Sequence, residues 1–476
     1  MSIYNSYEKF GNINKLKSLG KGTFGIVYYD KNIVYKQYKI GNGYGIPYDT
    51  LREIFTYFYL NKILNSPIPN FYGVVLNRNE GGIIIEKFST TLYKLDKIYI
   101  DKYFIDIAKQ LIFYLCTYSL YGFVHRDIKP NNILFDIIND KPIIKIIDWG
   151  SARYKRFYIS DLDISNDVCT LFTRSPEVII NKLTSATGNY DSTFHDIWSC
   201  AVSLVYIWDP DNYLFNGEKD EEQLNIISSI LKKSVYSDAE NNTIKNINNS
   251  LLIDLLDKMI VYNPDERINI EEIIEHPFMA DYKEKILENI RESKYKKINL
   301  TEGHCSEIRK TNIEWLIHLV KGLEDLEFQM PILLAIFIMD EIIVIAKKHK
   351  ILINKALYLS AYLLSAELLK PKSVNIESYS KKTGFLVEDL IDKQILIINK
   401  IPYLYDIIAN SDVIDVLDII NTVDIIKIAL ILIIYYPNLY YSSNNNIEEL
   451  IIDIYNGKKK LKEFKPLFNY KVDIVN

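Results

Sequence analysis

Cysteine is scarce in this chain of 476 residues: there are four, at positions 116, 169, 200 and 305, with no paired spacing that would suggest a zinc site or a disulfide framework. A reducing, intracellular compartment is the expectation. The opening stretch Met-Ser-Ile-Tyr-Asn-Ser-Tyr-Glu-Lys lacks the basic-then-apolar layout of a signal peptide, so no cleaved leader is expected. Long apolar runs are missing too. Pro331 to Ala346 is broken by Asp340 and Glu341, and Ile425 to Tyr436 contains Lys427. Both fall short of the roughly 20 residues a bilayer requires, so they read as buried helices and no membrane partner is expected. Nor is there an excess of positive charge. Lys and Arg number 56 against 61 Asp and Glu, a formal charge of −5, which argues against nucleic acid as a direct ligand. Gly (18) and Pro (14) are few while Ile, Asn, Lys and Tyr dominate, a bias expected of a very A+T-rich genome. What the chain does have is apolar content of 48% and a length suited to two or three domains.

Residues 125 to 132 read His-Arg-Asp-Ile-Lys-Pro-Asn-Asn, and Asp148-Trp-Gly follows a strand-like apolar run. Moving a phosphoryl group needs a carboxylate to orient a hydroxyl nucleophile, a cation to neutralise developing charge, and oxygen ligands for Mg²⁺. Asp127 and Lys129 offer the first two, and Asn132 and Asp148 the third. Ile-Leu-Phe after Asn132 and Ile-Ile-Lys-Ile-Ile before Asp148 flank the turn residues Asn139, Asp140 and Pro142. They predict a hairpin of two short strands that presents the metal ligands.

A glycine-rich stretch lies upstream, made of Leu19, Gly20, Lys21, Gly22, Thr23, Phe24, Gly25, Ile26 and Val27. Glycine lets backbone approach phosphate oxygens closely. Another β-branched and aromatic run follows it, not a helix, which favours a strand-loop-strand flap over ATP rather than a dinucleotide fold. Lys36 ends the next strand, where its ammonium could reach the α and β phosphates. Glu53 lies in a segment with helical apolar spacing at Leu51, Ile54, Phe55 and Phe58, so an ion pair between Lys36 and Glu53 is expected. The alternatives are a solvated lysine and a surface helix charge.

Over roughly residues 12 to 282 these motifs resemble protein kinases. Ser175-Pro-Glu177 stands where the family has Ala-Pro-Glu, and Asp196-Ile-Trp-Ser-Cys-Ala201 resembles the Asp-x-Trp-x-x-Gly of the large helical lobe. Asn263-Pro-Asp-Glu-Arg267 and His276-Pro-Phe278 resemble that lobe's closing segment. The resemblance implies an α+β, bilobal fold over residues 1–285, with a β-rich N-lobe and a helical C-lobe, and a pairing of Glu177 with Arg267. It implies ATP and Mg²⁺ as cofactors and protein substrates phosphorylated on Ser or Thr. Glu86 and Phe88 follow Ile83-Ile-Ile85 where the family's hinge holds adenine. Trp149 replaces the usual Phe and Ala201 a Gly, and neither removes a ligand.

Pro47-Tyr-Asp-Thr-Leu-Arg-Glu53 resembles the Pro-Ser-Thr-Ala-Ile-Arg-Glu helix of cyclin-dependent kinases, the surface a cyclin grips. That implies proline-directed substrates. Ser165 stands where the activating phosphothreonine sits, and Arg52, Arg126 and Arg153 are the three places from which the family's arginines converge on it. Asp161, Asp163 and Asp167 offer a constitutive anion instead. Residues 209 to 250 match the helical-lobe insertion of this group, shortened and Asn-rich.

After residue 300 the pattern is all helical. Ile308 to Leu319 resembles the opening of a cyclin box, Ala335 to Ile343 its next helix, Leu357 to Leu369 its central helix and Glu388 to Ile401 its closing one. The implied layout is a linker at 286–307, an all-α cyclin-like domain at 308–404 and a degenerate helical extension at 405–476. Glu341 and Ser365-Ala-Glu-Leu-Leu-Lys370 depart from the box's usual charges. The expectation is a kinase switched on in cis by its own cyclin-like domain, from a source such as a large DNA virus. Two alternatives stay open: a C-terminal recruitment module beside a kinase that awaits a separate cyclin, and a pseudokinase scaffold.

Overall fold

A computed structural model describes residues 17–21, 25–38, 46–77, 81–155, 169–184, 191–211, 214–232, 247–291, 307–320, 326–369, 375–401 and 451–452. Gly22, Thr23, Phe24, Ser165 and nearly all of the 405–476 extension lie outside them.

Five strands open the fold: β1 (Lys17–Lys21), β2 (Gly25–Asp30), β3 (Ile33–Tyr38), β4 (Phe71–Leu76) and β5 (Gly81–Glu86). They form one antiparallel sheet in the order β1-β2-β3-β5-β4, which centres Lys36 between Val27 and Ile83. β2 and β3 approach so closely at Gly25 that a Cβ there would come within 1.7 Å of the Gln37 carbonyl oxygen. Only glycine fits.

Helix α1 (Tyr48–Leu60) packs on this sheet. It contains no glycine or proline, and Asp49 in its first turn complements the helix dipole. The apolar stripe expected from the sequence faces the core, with Leu51, Ile54 and Phe55 buried and Phe58 partly so. Thr50, Arg52, Glu53, Thr56, Tyr57 and Tyr59 are buried as well. A helix buried nearly all round has neighbours on every side.

The helical lobe is built on α2 (Lys97–Leu120) and α4 (Ser192–Trp208), with α3 (Pro176–Thr184), α5 (Asp220–Lys232), α6 (Ser250–Met259) and α7 (Ile270–Glu275) around them. A two-stranded ribbon pairs β7 (Phe123–Val124) with β10 (Arg153–Tyr154). The predicted hairpin is β8 (Ile133–Ile138) and β9 (Lys141–Ile146), flanked by β6 (Thr90–Thr91) in the order β6-β8-β9. Its loop is tighter than expected. Asn139 (φ 52°) and Asp140 (φ 59°) make the whole turn, whereas Pro142 sits inside β9 opposite Ile137. β9 is an edge strand, where a missing N–H costs little.

α8 (Lys283–Arg291) follows, and residues 292–306 of the expected linker lie outside the described residues. Five helices then succeed one another: α9 (Glu307–Val320), α10 (Leu326–His349), α11 (Lys355–Leu369), α12 (Ile376–Thr383) and α13 (Val387–Lys400). Four were expected. The unforeseen α12 is short and polar, marked by an Asn375 side chain that caps its first turn and a Gly384 in the left-handed region (φ 76°) that ends it. α10 starts before Pro331, which lies inside it. Arg309 of α9 and Asp340 of α10 form a two-point ion pair at 2.7 Å, both fully buried. α11 packs against α1, and Glu367 stands in the field of Arg52 and Asp49. Burial pushes its carboxyl up to about 7, against the pull of Arg52.

Two tests follow from this packing. Removing one member of a buried ion pair strands the other charge, so Arg309→Met should destabilise the C-terminal helices by about 3–5 kcal/mol in urea unfolding. Arg309→Met with Asp340→Leu should recover most of that loss; no recovery would mean that the arginine acts by packing alone. The second concerns Lys145 of β9, which donates to the Ser66 carbonyl beyond α1 and to the Tyr114 hydroxyl of α2 at 3.2 Å. Burial pushes its ammonium down to about 8, against the pull of Glu86. Between about pH 8 and the unfolded value near 10.4 the unfolded chain binds the extra proton, so stability gains with rising pH. The Tm of the parent relative to Lys145→Met should therefore climb across that window, and a constant difference would refute it.

Candidate active site

The loop that carries Asp127 hangs from a buried carboxylate. Asp196, on α4 and fully buried, accepts the backbone amides of His125 (2.6 Å) and Arg126 (2.8 Å) and the Tyr118 hydroxyl (3.1 Å). Those bonds hold Arg126 in the left-handed region (φ 68°) and swing the next residue, Asp127, toward the cleft. His125 accepts the Asp127 amide at Nδ1 (3.2 Å) while Nε2 meets the Ile147 carbonyl (3.0 Å). That pattern suits the neutral ring with its proton on Nε2, and burial lowers the pKa of His125 in the same sense.

Asp127 is gripped at both carboxylate oxygens. Oδ2 accepts Lys129 Nζ (2.7 Å) and Asn132 Nδ2 (3.0 Å), and Oδ1 accepts the amide and hydroxyl of Thr170, both at 3.2 Å. Lys129 also donates to the Thr170 hydroxyl at 2.8 Å. Thr170 had drawn no role from the sequence, where it is one hydroxyl residue in a polar stretch. Its signal was its place ahead of the short turn Leu171–Thr173 that leads into α3.

The predicted metal ligands are brought side by side. The Ile147 amide donates to the Asn132 carbonyl (2.9 Å), and Asp148 follows with left-handed backbone (φ 69°). Asn132 commits its amide nitrogen to Asp127, which leaves its side-chain oxygen for a cation. A carboxylate and an amide oxygen are hard donors that suit Mg²⁺, an ion that keeps waters and substrate phosphates as its remaining ligands. Trp149 is fully buried against His125 and Tyr118, with its indole N–H given to the Ile146 carbonyl (3.1 Å). The exchange of Phe for Trp therefore strands no polar group.

Lys36 reaches this centre from the sheet. Its ammonium touches both oxygens of Glu53 and Oδ1 of Asp148, each at 2.8 Å. Burial works against every charge in the triad. For Lys36 the two carboxylates outweigh it and raise the pKa, and for Asp148 the lysine outweighs it and holds the carboxyl below its usual range. Burial pushes Glu53 up, while Lys36 and the Tyr38 hydroxyl act the other way.

The remaining predicted residues frame the cleft. Leu19, exposed, and Gly20, where a Cβ would meet nothing within 4 Å, belong to β1 with Lys21, while Gly25, Ile26 and Val27 belong to β2. Glu86 ends β5, Lys87 continues the pairing on the β3 side with a backbone bond to the Asn32 carbonyl (2.9 Å), and half-buried Phe88 is the next residue. Arg52 donates to the Gly150 carbonyl (3.4 Å) and Arg153 to those of Ser151 and Ala152, all close behind Asp148. Burial raises the pKa of Asp49 and both arginines act against it, so they share one neighbourhood. Arg126 is fully buried beside the loop and acts on Cys169. Glu177 and Arg267 are joined at 2.8 and 3.0 Å, tying α3 to the far end of the lobe.

A carboxylate held by lysine, threonine and asparagine, beside two oxygen ligands and a paired lysine, can orient a hydroxyl toward a metal-bound phosphoryl group. The comparisons with known proteins agree with this geometry. A family model for the protein kinase domain matches residues 13–279. A probable serine/threonine-protein kinase, glkA, of Dictyostelium discoideum is 28% identical over 309 residues, 59% of this chain and 61% of that protein. The chain thus spans about three-fifths of that relative's length. No described helix is long and apolar enough to cross a membrane. The matched stretch covers more than half the chain and encloses each side chain of this site, and the chain belongs to the protein kinase family.

Proposed function

We propose that this chain transfers the γ-phosphoryl group of ATP to serine or threonine hydroxyls of proteins, with Asp127 as the nucleophile-orienting base. The observation that carries the reading is the Asp127, Lys129 and Thr170 cluster, which fixes the carboxylate and sets a cation beside it. Lys36 would meet the α and β phosphates, Asn132 and Asp148 would hold Mg²⁺, and the glycine-rich strands would cover the phosphates. The bound metal supplies charge neutralisation on the transferred group. Every polar group of this cluster is present and paired, which favours an enzyme over a scaffold.

A preference for proline after the acceptor has support of its own. Cys169, just before Thr170, adopts left-handed backbone (φ 71°), and its carbonyl is taken by Arg174 Nη2 at 2.7 Å. That carbonyl is no longer open to an amide of the substrate. A residue after the acceptor that carries an N–H would leave it unsatisfied, and proline has none. Regulation is the finer proposal. Phosphate on Ser165 would be received by Arg52, Arg126 and Arg153, and the C-terminal helices would act as a cyclin-like unit that presses α1 into place in cis. The α11 contact with α1 supports the second idea, as does the pairing of Arg309 and Asp340, which are drawn from two of the four segments that resemble a cyclin box. Tethering gives such a contact an effective concentration in roughly the millimolar range.

With Mg²⁺ and ATP, the purified chain should phosphorylate a Ser-Pro peptide faster than the matching Ser-Ala peptide by about 5- to 150-fold, the factor that 1–3 kcal/mol for an unsatisfied amide gives. Arg174→Met should narrow that ratio. No turnover on either peptide would sink the enzyme reading, and equal rates the proline preference. For control in cis, residues 1–290 alone should turn over at least about tenfold more slowly than the intact chain. Glu367→Arg in the intact chain, which sets like charge against Arg52, should reproduce the loss. Full activity in both would leave the C-terminal helices as a recruitment module.

A further inference from the structure

Glu53 is held by more than the lysine. Tyr38 lies two residues past Lys36 on β3, so both side chains leave the same face of the strand. Its ring is buried, Lys36 Nζ stands 5.7 Å from the ring centroid, and its hydroxyl donates to Glu53 Oε2 at 2.9 Å. The contact is between side chains and is buried. We infer that Tyr38 is a positioning residue for phosphoryl transfer: a second latch that keeps Glu53, and with it α1, turned toward Lys36.

The reason is the cost of moving α1. Without Tyr38 the helix could swing away by parting one ion pair, and water entering behind it would solvate both charges. With Tyr38 present, the same motion also strands a buried phenol, and the carboxylate loses a donor that does not compete for its charge. Tyr38 also keeps Glu53 in place while the ammonium divides its three hydrogens between Glu53 and Asp148. This hold comes from the sheet side of α1, opposite in origin to any hold from α11, and depends only on the kinase site itself.

Tyr57 supplies an internal control. It is one helical turn beyond Glu53 on α1 and fully buried in the same neighbourhood, yet its hydroxyl has no hydrogen-bond partner among the described residues. Tyr57→Phe removes the same atom as Tyr38→Phe but breaks no bond. In steady-state assays of the full chain, Tyr38→Phe should lower kcat/KM for ATP about tenfold, the low end for a hydrogen bond to a charged group, with KM for ATP raised. KM for the peptide should stay within about twofold, and Tyr57→Phe should match the parent within the same margin. A preparation that was merely part-unfolded would lower kcat and leave both KM values alone. The Kd of Mg·ADP, measured by titration, should rise for Tyr38→Phe whether or not turnover is seen. Unchanged KM and Kd for nucleotide in Tyr38→Phe, or an equal loss in Tyr57→Phe, would overturn the inference.

Discussion

One ammonium group joins three parts of the chain that are far apart in sequence. Lys36 comes from the sheet, Glu53 from the helix above it and Asp148 from the hairpin of the other lobe, and the 2.8 Å contacts among them exist only when all three elements are in register. The attraction is strong because the groups are largely shielded from water, and for the same reason no member can be left alone there. A dry triad of this kind behaves as an all-or-none contact. It makes the relative placement of the lobes a discrete variable rather than a continuous one.

The helical lobe solves a different problem, which is to hold a strained loop without a charge partner. Asp196 does so with backbone amides. Three donors converge on its carboxylate, and the left-handed turn at Arg126 is the geometric result. Burial raises the pKa of Asp196 and those donors act against it. The Asp127 carboxylate, by contrast, is satisfied mainly by side chains that can be rearranged, those of Lys129, Asn132 and Thr170, with the Thr170 amide as a backbone donor beside them. A rigid support beneath a more adaptable reacting group is what a site needs when a substrate hydroxyl must take over one of the contacts.

How much of this was legible in the sequence follows from how each residue does its work. Asp127, Lys129, Asn132 and Asp148 act through functional groups at fixed spacing within two short segments, so the string alone exposes them. The Lys36 and Glu53 pair was legible because each sits in a recognisable strand or helix. Tyr38 acts by meeting a group 15 residues away and nothing local marks it, and Thr170, 43 residues from its partner, is marked only by the short turn it precedes. Asp196 was visible as the head of a motif, but its work on an amide 71 residues away was not. The fold errors have local causes. Pro142 looks like a turn residue until the strand is known to lie at an edge. α12 lacks the apolar stripe of a packed helix and is announced only by its caps, Asn375 and Gly384.

The burial of α1 has the widest consequence. An ordinary surface helix shows water one polar face, whereas here Arg52 and Glu53, adjacent in sequence, are both about 2% exposed and point into different environments. Glu53 meets the sheet and the lysine that also touches Asp148. Arg52 meets the Gly150 carbonyl just past Asp148 and stands in the field of Glu367 of α11. Rotating α1 by even a small angle would disturb both sets together, because a helix turns its adjacent residues as one body. Whatever bears on the outer face of α1 is therefore coupled mechanically to the ion pair on its inner face. Burial on both faces is what makes that coupling stiff, since close-packed surroundings leave the helix no third position to occupy.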